Sequence, residues 1–345
     1  MSKASRVLVI RFSAMGDVAM TAPILKELSV AYPDTELVVL SRALFEPFFA
    51  DVPGMSFHAF QPKTKHKGFL GLVKLFFELR KYKITAVADL HNNLRSAILC
   101  ILFFLTGVRL KRLDKGRAQK KDLTRYPDKT LVPLKLTSER YADVFRALGY
   151  SFKLSHKLPF RQPAPIATHL LPFIALEKSK KYVGVSPFAQ HLQKVYPLEK
   201  MERIVASLAA LGHQVIIFGG GPQEEAIAAK WQKDYSGVQS AINKINLQQE
   251  LDLISHLDVM ISMDSSGMHM ASLKGIPVIS LWGATHPYAG FMGYGQSMSD
   301  AAQIDLDCRP CSIYGNKPCF RGDFACMNNL PESFVLDLVT QKLHG

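Results

Sequence analysis

Short apolar runs rich in β-branched residues recur along the chain, and amphipathic stretches of helical length separate them. One series begins with RVLVI at residues 6–10 and includes ITAVADL at 84–90, and a second begins with YVGVSP at 182–187. Such continuously apolar runs are typical of strands buried in a parallel sheet, and the stretches between them are typical of covering helices. Because the alternation starts twice, the sequence predicts an α/β fold with two doubly wound, Rossmann-like domains.

A proline-rich stretch, residues 158–173, lies between the two series. Its four prolines favour a linker and are incompatible with a regular helix. We therefore expect an N-terminal domain at 1–165 and a C-terminal domain at 174–330, facing a central ligand cleft at the carboxyl ends of their strands. Residues 331–345 predict a final helix, and one arrangement for it is to pack back across the hinge.

The chain has 345 residues and a formal net charge of +13, and its first half carries the whole excess. Residues 1–172 hold 28 lysines and arginines against 13 acids, whereas residues 173–345 hold 14 against 16. This asymmetry favours a local anionic partner, such as a membrane surface, nucleic acid or a phosphorylated or carboxylated substrate. A solvated basic face is the alternative. Nucleic acid is disfavoured because no common nucleic-acid-binding motif accompanies the charge.

The apolar runs and the cysteines also predict where the protein resides. The longest apolar run, residues 97–105, is too short to span a bilayer, and the start of the chain lacks a secretory signal pattern. Five cysteines in a chain of this size indicate a reducing compartment. We expect a cytoplasmic protein.

The first candidate site lies in RFSAMGDVAM, residues 11–20, where a strand runs into a turn that opens a helix. Ser13, Gly16 and Asp17 lie in this turn. It resembles a phosphate-binding turn, but it lacks the G-x-G-x-x-G pattern, and G-x-x-x-x-G-K-[ST] occurs nowhere in the chain. A carboxylate at the end of a strand can act as a general base, and capping of the helix is the alternative for Asp17.

Further strand ends in the second half carry side chains suited to a nucleotide diphosphate, each with a structural alternative. A lysine can neutralise phosphate or be a surface residue, and a glutamate after three glycines can cap a helix or accept hydrogen bonds from ribose hydroxyls. A D-S-S-G helix start offers amides that bind an anion without a metal. The candidates are Lys194, Glu224, Asp264, Ser265, Ser266, Gly267 and, in the next glycine-rich loop, Thr285.

In their order along the chain, these motifs resemble those of glycosyltransferase family 9, the ADP-heptose:lipopolysaccharide heptosyltransferases. RFSAMGD is similar to the family's R-x-S-x-x-G-D, KVYP to K-x-W-P, and GGPQE to G-G-P-x-E. DSSGMH is similar to D-[ST]-G-x-x-H, and WGATHP to G-x-T-x-P, so the resemblance covers nearly the whole chain. The chain departs from the family at Tyr196, where tryptophan is usual, and at Ser266, where glycine is usual and Gly267 follows instead.

The resemblance implies the GT-B architecture and an inverting transfer of heptose that requires no metal or other cofactor. Asp17 would be the catalytic base, and Ser13 and Gly16 would shape its loop. The donor would be ADP-heptose. Its diphosphate would be held by Lys194 and by the amides of Ser265, Ser266 and Gly267. Asp264 would contact the sugar or the diphosphate, Thr285 would lie beside the phosphates, and Glu224 would hold the nucleoside.

The resemblance also implies an acceptor, the lipopolysaccharide inner core. DLHNNLRS, residues 89–96, is similar to the family's acceptor-side segment, so Arg95 and Asn92 or Asn93 would face this acceptor. The anionic inner core and a peripheral contact with the anionic inner-membrane surface would account for the basic half, including residues 107–129. Two alternatives stay open: another nucleotide sugar used on a different cell-surface glycan, and a non-catalytic basic binding protein. No oligomeric state is predicted.

Four cysteines close to the C-terminus form a C-x2-C-x7-C-x6-C pattern that nothing above explains. They are Cys308, Cys311, Cys319 and Cys326. A tetrahedral structural zinc is one hypothesis. Reduced cysteines that pack an irregular loop, and a labile disulfide, are the others.

Overall fold

The structure, a computed structural model, describes residues 5–174 and 180–344, and each of its two sheets is parallel throughout. The predicted α/β class with two doubly wound domains is confirmed. The elements that form the first sheet and its covering helices are β1 (Arg6–Ile10), α1 (Met15–Ala19), α2 (Thr21–Ala31), β2 (Glu36–Ser41), β3 (Met55–Ala59), α3 (Gly68–Arg80), β4 (Ala86–Asp89), α4 (Leu94–Phe104), β5 (Arg109–Arg112) and, after α5 (Arg117–Leu123), α6 (Thr137–Ala147).

The second sheet uses the remainder of the chain. Its elements are β6 (Tyr182–Ser186), α7 (Leu198–Ala210), β7 (Gln214–Ile217), α8 (Pro222–Asp234), β8 (Val238–Ser240), α9 (Leu247–Ile254), β9 (Val259–Met263), α10 (Ser266–Leu273), β10 (Val278–Leu281), β11 (Ala301–Ala302), α11 (Ala325–Asn328) and α12 (Glu332–His344). Short 3-10 helices at Ala43–Phe49, Thr168–Leu170, Leu192–Lys194, Pro287–Ala289 and Met298–Asp300 complete the described structure.

The two compact units divide the chain differently from the predicted ranges 1–165 and 174–330. The first consists of Met1–Lys115 and Thr137–His156, and the second of Gly116–Leu136 and Lys157–Gly345. The proline-rich stretch, residues 158–173, therefore belongs to the second unit, which resumes at Lys157. An excursion of 21 residues also leaves the first unit to pack on the second, where the Leu134 amide donates to the Tyr288 carbonyl at 2.9 Å.

The final helix, α12, packs within the second unit. It lies against α7, and its apolar residues Val335, Leu338, Val339 and Leu343 join the core that covers the second sheet. Packing of residues 331–345 back across the hinge stays a prediction. No helix among the described residues is both long enough and apolar enough to cross a bilayer.

Strand order places the functional loops. The first sheet has the order β3-β2-β1-β4-β5, and the second has β11-β10-β9-β6-β7-β8. In each sheet the chain reverses its direction of travel between two central strands, β1 and β4 in the first and β6 and β9 in the second. Ligands of open α/β sheets bind at such switch points, outside the carboxyl ends of the strands. The predicted side chains follow these central strands in both units.

Candidate active site

Four adjacent strands of the second unit, β10, β9, β6 and β7, are each followed by a residue predicted to bind the donor. Because the strands are parallel, their carboxyl ends lie at one edge of the sheet. The loops after β6 and β10 also contact each other directly, since the Ala284 amide donates to the Gln193 carbonyl at 3.3 Å. The residues that follow these strands are Thr285, Asp264, Lys194 and Glu224, respectively.

The centre of this edge is an ion pair. The Lys194 ammonium lies 2.9 Å from Asp264 Oδ2, and the two side chains are only 16% and 6% exposed. Partial burial keeps water from screening this pair as it would screen a surface pair. The pair therefore fixes the position of the Lys194 ammonium at the switch point of the second sheet, beside the first turn of α10.

That first turn comes unusually close to the sheet. A Cβ atom on Gly267 would lie 2.5 Å from Ser186 Oγ at the end of β6 and 3.0 Å from Ser262 Oγ on β9. Only glycine allows this approach without a shift of the backbone. The displaced glycine of the D-S-S-G motif thus has a structural reason: the close contact falls at position 267, and Ser266 precedes it. The N-cap residue, Ser265, makes no side-chain capping bond.

A buried threonine hydroxyl lies in the loop that follows β10. Thr285 is fully buried, and its Oγ1 has no hydrogen-bond partner among the described residues. Leaving a buried hydroxyl unpaired costs roughly 1–3 kcal/mol, so such a group is expected to meet a ligand or water. Beside it, burial and then the charge of Arg309 lower the pKa of His286 to about 4, so that imidazole is neutral at neutral pH.

Arg309 is a residue of this site that the sequence analysis missed. Its buried guanidinium donates to the carbonyl oxygens of Gly283 at 2.5 Å, Trp282 at 2.9 Å and Thr285 at 3.1 Å. It also donates to the Ile304 carbonyl and to the Gln303 side chain. One side chain thereby fixes the backbone of the loop that carries Thr285. No local sequence pattern predicts this role, because the carbonyls of Trp282, Gly283 and Thr285 lie 24–27 residues earlier in the chain.

For Glu224, the structure supports in part the alternative that this residue caps a helix. The Gly220 amide donates to Glu224 Oε2 at 2.7 Å, so the carboxylate closes the glycine loop at the start of α8. The loop needs glycine for this closure, since a Cβ on Gly219 would lie 2.6 Å from the same oxygen. Gly221, with φ of +97°, is the N-cap. Glu224 Oε1 has no partner among the described residues.

In the first unit, Asp17 lies in the first turn of α1 and is held by Arg11. Arg11 Nη2 lies 2.6 Å from Asp17 Oδ2, and the Ala14 amide donates to the same oxygen at 3.2 Å. Arg11 Nη1 also donates to the Leu90 carbonyl at 2.6 Å, which ties the loop after β1 to the loop after β4. Ser13 precedes α1 and Gly16 lies in its first turn, and both residues are half-buried. Capping is therefore one role of Asp17, and Arg11 adds an orientation to its carboxylate.

The predicted acceptor residues behave differently from one another. Asn93 is the N-cap of α4, where its Oδ1 accepts from the Ser96 amide at 2.9 Å. The Asn92 side chain donates to the Leu113 carbonyl at 2.7 Å. Both asparagines thus hold the loop. Arg95 is exposed, and its side chain makes no hydrogen bond within the described structure.

A buried aspartate organises the same loop and was also missed. Asp89 Oδ1 accepts from the amides of His91 and Asn92 at 3.0 and 2.8 Å. Its Oδ2 accepts from the Ser96 hydroxyl at 2.9 Å and from Arg112 Nε at 3.0 Å. Burial, then the charges of Arg11 and Lys115, lower the pKa of His91 to about 4. A neutral imidazole therefore lies near the Arg11–Asp17 pair.

The basic stretch 107–129 is only partly a solvated surface. Lys120 is buried, with its ammonium 4.3 Å from the centre of the Phe291 ring. The Lys129 ammonium donates to the Arg309 carbonyl at 2.8 Å, and burial lowers its pKa. Two of its nine lysines and arginines are thus committed to packing in the second unit.

The four C-terminal cysteines line one cavity next to the Lys194 and Thr285 loops. All are free thiols, and burial raises the pKa of Cys311, and that of Cys326 to about 11, so these two are protonated at neutral pH. Zinc requires thiolates about 3.8 Å apart, given Zn–S bonds of about 2.3 Å. No three of these thiols lie within 4.8 Å of one another. A zinc site would thus require the loop to close, and metal analysis of untagged protein tests that hypothesis.

One set of potential metal ligands does lie within 4.8 Å among the described residues: His58, His66 and Glu78. The hydrogen bonds argue against a metal there. The Gln61 amide donates to His66 Nδ1 at 3.0 Å, so the ring proton sits on Nε2, which faces Glu78 at 3.2 Å. Lys65 already pairs with the other carboxylate oxygen at 3.0 Å. The cluster is an ion-pair network within the first unit.

Known proteins resemble this chain over most of its length. The family model of glycosyltransferase family 9 (heptosyltransferase) matches residues 72–317. A lipooligosaccharide heptosyltransferase 2 of Campylobacter jejuni is 22% identical over 328 residues, 94% of each chain. A lipooligosaccharide heptosyltransferase 2 of Haemophilus influenzae is 28% identical over 317 residues, 86% of this chain and 87% of that protein.

Two solved structures share the fold. A glycosyl transferase family 9 protein from Veillonella parvula superposes with a TM-score of 0.75 at 17% identity, covering 99% of this chain and 98% of that one. The E. coli heptosyltransferase WaaC with ADP superposes with a TM-score of 0.65 at 20% identity, covering 98% and 99%. The predicted GT-B class is confirmed by these neighbours. The chain belongs to glycosyltransferase family 9, the heptosyltransferases.

Proposed function

We propose that the protein transfers heptose from ADP-heptose to the lipopolysaccharide inner core, with inversion at the anomeric carbon and without a metal ion or other cofactor. The observation that carries the proposal is the buried ion pair of Lys194 and Asp264 at the switch point of the second sheet, with Thr285 in the neighbouring loop that contacts the Lys194 loop. Family membership and the heptosyltransferase names of the relatives support the sugar. The neighbour solved with ADP supports the nucleotide.

The donor half of the reaction is charge stabilisation. As the bond between the anomeric carbon and the phosphate oxygen breaks, its electron pair leaves with ADP. The Lys194 ammonium, fixed by Asp264, neutralises the developing charge, and the amides of Ser265, Ser266 and Gly267 donate to the diphosphate. The unpaired Thr285 hydroxyl donates beside the phosphates. Glu224 Oε1 accepts from the ribose, while Oε2 holds the loop.

The acceptor half needs a base. Asp17 takes the proton of the acceptor hydroxyl as that oxygen attacks the anomeric carbon from the face opposite ADP. Arg11 keeps the carboxylate in one orientation, and a shift of about 1 Å would cost much of the rate. Arg95, exposed beside the same loop, attracts the carboxylates and phosphates of the inner core. Ser13 and Gly16 shape the loop.

We further propose that the protein acts in the cytoplasm, at the surface of the inner membrane, and that nucleic acid is not a partner. The lipid part of its acceptor resides in that membrane, and the excess of positive charge in residues 1–172 supports contact with anionic headgroups.

Calorimetry with ADP-heptose, ADP-glucose, UDP-glucose and GDP-mannose, all in EDTA, tests the donor. We expect clear preference for ADP-heptose. Preference for another nucleotide would favour a transferase that acts on a different glycan. Absence of binding to all four would favour a non-catalytic basic binding protein, and a requirement for added metal would refute the metal-independent step.

A further inference from the structure

Two neighbouring helices of the first unit each bury one face and expose a second face that is also apolar. Helices α3 and α4 pack side by side on the first sheet, with the rings of Phe76 and Phe103 edge to face at 5.0 Å. Their inner residues, among them Leu75 and Leu99, are fully buried in the core over that sheet. The core is therefore complete without the outer side of either helix.

The outer side of α4 is apolar along its whole length. Leu94, Ile98, Ile101 and Leu105 recur at the spacing of one helical face, and Leu94 and Leu105 are 78% and 75% exposed. On α3, Leu70 is 81% exposed, and Phe77 follows two turns later. We name this surface the α3–α4 face. It comprises Leu70, Phe77, Leu94, Ile101, Phe104 and Leu105.

Exposed positive charge lies on the two helices that carry the α3–α4 face and at the ends of α3, at Lys67, Lys74, Arg80, Lys81 and Arg95. Residues 61–113 hold eleven lysines and arginines and only two acids, Glu78 and Asp89. Both acids are already engaged, Glu78 with Lys65 at 3.0 Å and Asp89, fully buried, with Arg112 at 3.0 Å. The face is therefore an apolar patch with a cationic rim. A second copy of the chain would bring two such rims together, which like-charge repulsion opposes.

We propose that the α3–α4 face inserts into the headgroup region of an anionic lipid bilayer. Apolar side chains enter the boundary of the acyl chains, and the lysines and arginines around them contact anionic headgroups. Contiguous exposed apolar patches on soluble proteins mark interaction sites, and the cationic rim selects an anionic one. The inference deepens the proposed function by assigning its membrane contact to one surface.

Co-sedimentation of the full chain with lipid vesicles tests the proposal. One set of vesicles is phosphatidylcholine alone, and the other contains phosphatidylglycerol as a quarter of its lipid. The test variant is Leu70→Gln/Leu105→Gln. The control is Val30→Gln/Leu211→Gln, which removes exposed apolar side chains from α2 and from the end of α7, 71% and 66% exposed. Thermal unfolding checks that both variants fold.

We expect the wild type and the control to bind the anionic vesicles in a salt-dependent way and to bind phosphatidylcholine weakly. The test variant should lose about tenfold or more in partitioning, since each leucine contributes its apolar area to insertion. Equal loss in both variants, or equal binding to both vesicles, would overturn the proposal. So would a wild-type dimer that the test variant converts to monomer, because a second copy would then cover the face.

Calorimetric binding of ADP-heptose separates this outcome from that of the proposed function. The test variant should bind the donor as the wild type does, since the donor residues belong to the other unit. Loss of vesicle binding with intact donor binding would support the membrane surface alone. Intact vesicle binding by a wild type that binds no nucleotide sugar would refute the function and leave the surface standing.

Discussion

Gly267→Ala should weaken ADP binding by disturbing the first turn of α10. The new Cβ would lie 2.5 Å from Ser186 Oγ, 2.6 Å from Ser186 Cβ and 3.0 Å from Ser262 Oγ, so the turn must shift away from the sheet. Overpacking of this kind costs about 1–3 kcal/mol, whereas the better helix propensity of alanine returns at most about 1 kcal/mol. The cost of the clash therefore exceeds the gain, and the amides proposed to bind the diphosphate move with the turn.

Because hydrogen bonds to charged groups contribute about 1.5–3 kcal/mol, partial loss of one or two corresponds to about tenfold in Kd. Calorimetry with ADP measures this change. Gly220→Ala is the matched control, since a Cβ there meets nothing within 4 Å, and its Kd should stay within about twofold. Adding Ser186→Gly to Gly267→Ala should restore affinity. An unchanged Kd in Gly267→Ala, or equal loss in Gly220→Ala, would refute the close-approach argument.

Three further predictions concern single side chains. Lys194→Gln leaves Asp264 buried without its cation, so both thermal stability and ADP affinity should fall; adding Asp264→Asn should recover the stability but not the affinity, and recovery of both would contradict the role of Lys194. Arg309→Lys cannot serve the same carbonyls, so the Kd for ADP should rise about tenfold, and an unchanged Kd would remove Arg309 from the site. Burial raises the pKa of Glu250 from 4.5 to about 7, so the folded state favours the neutral acid and wild-type stability falls as pH rises through this range. At pH 8, Glu250→Gln should therefore be more stable than wild type by about 1–3 kcal/mol and unfold at a higher temperature. At pH 4 the variant and the wild type should unfold at the same temperature, and a gain of the same size at both pH values would contradict this.

The sequence predicted that the candidate donor residues lie at one edge of a sheet, because a parallel sheet aligns its strand ends. Lys194, Asp264 and Thr285 are up to 91 positions apart, yet each follows a strand that the apolar pattern identifies, and adjacent strands bring them together. The same logic places Asp17 and the Asn92 loop after β1 and β4. Pattern and topology therefore suffice for residues whose function depends on where a strand ends.

The sequence could not predict roles that depend on distant backbone atoms. In the sequence, Arg309 is indistinguishable from an ordinary loop arginine. Its role is visible only in the structure, where its guanidinium donates to the carbonyls of Gly283 and Thr285. The excursion of residues 116–136 reads as a charged surface, because composition does not show on which unit Lys120 packs. The family resemblance implies that Asn92 or Asn93 faces the acceptor, yet the side-chain amide of Asn92 donates to the Leu113 carbonyl. Local patterns state which groups are present, and tertiary contacts decide which of them are already engaged.

The most direct test of the account is heptose transfer by Asp17→Asn, measured with ADP-heptose and an inner-core acceptor that lacks its next heptose. Asparagine keeps the shape of the side chain but cannot take the proton, so the rate should fall about 10²–10⁴-fold. The Kd for ADP should stay within about twofold of wild type, and the exposed-site control Asp34→Asn should change neither. Transfer at the wild-type rate by Asp17→Asn, or equal loss of transfer and ADP binding, would contradict the assignment of Asp17 as the base.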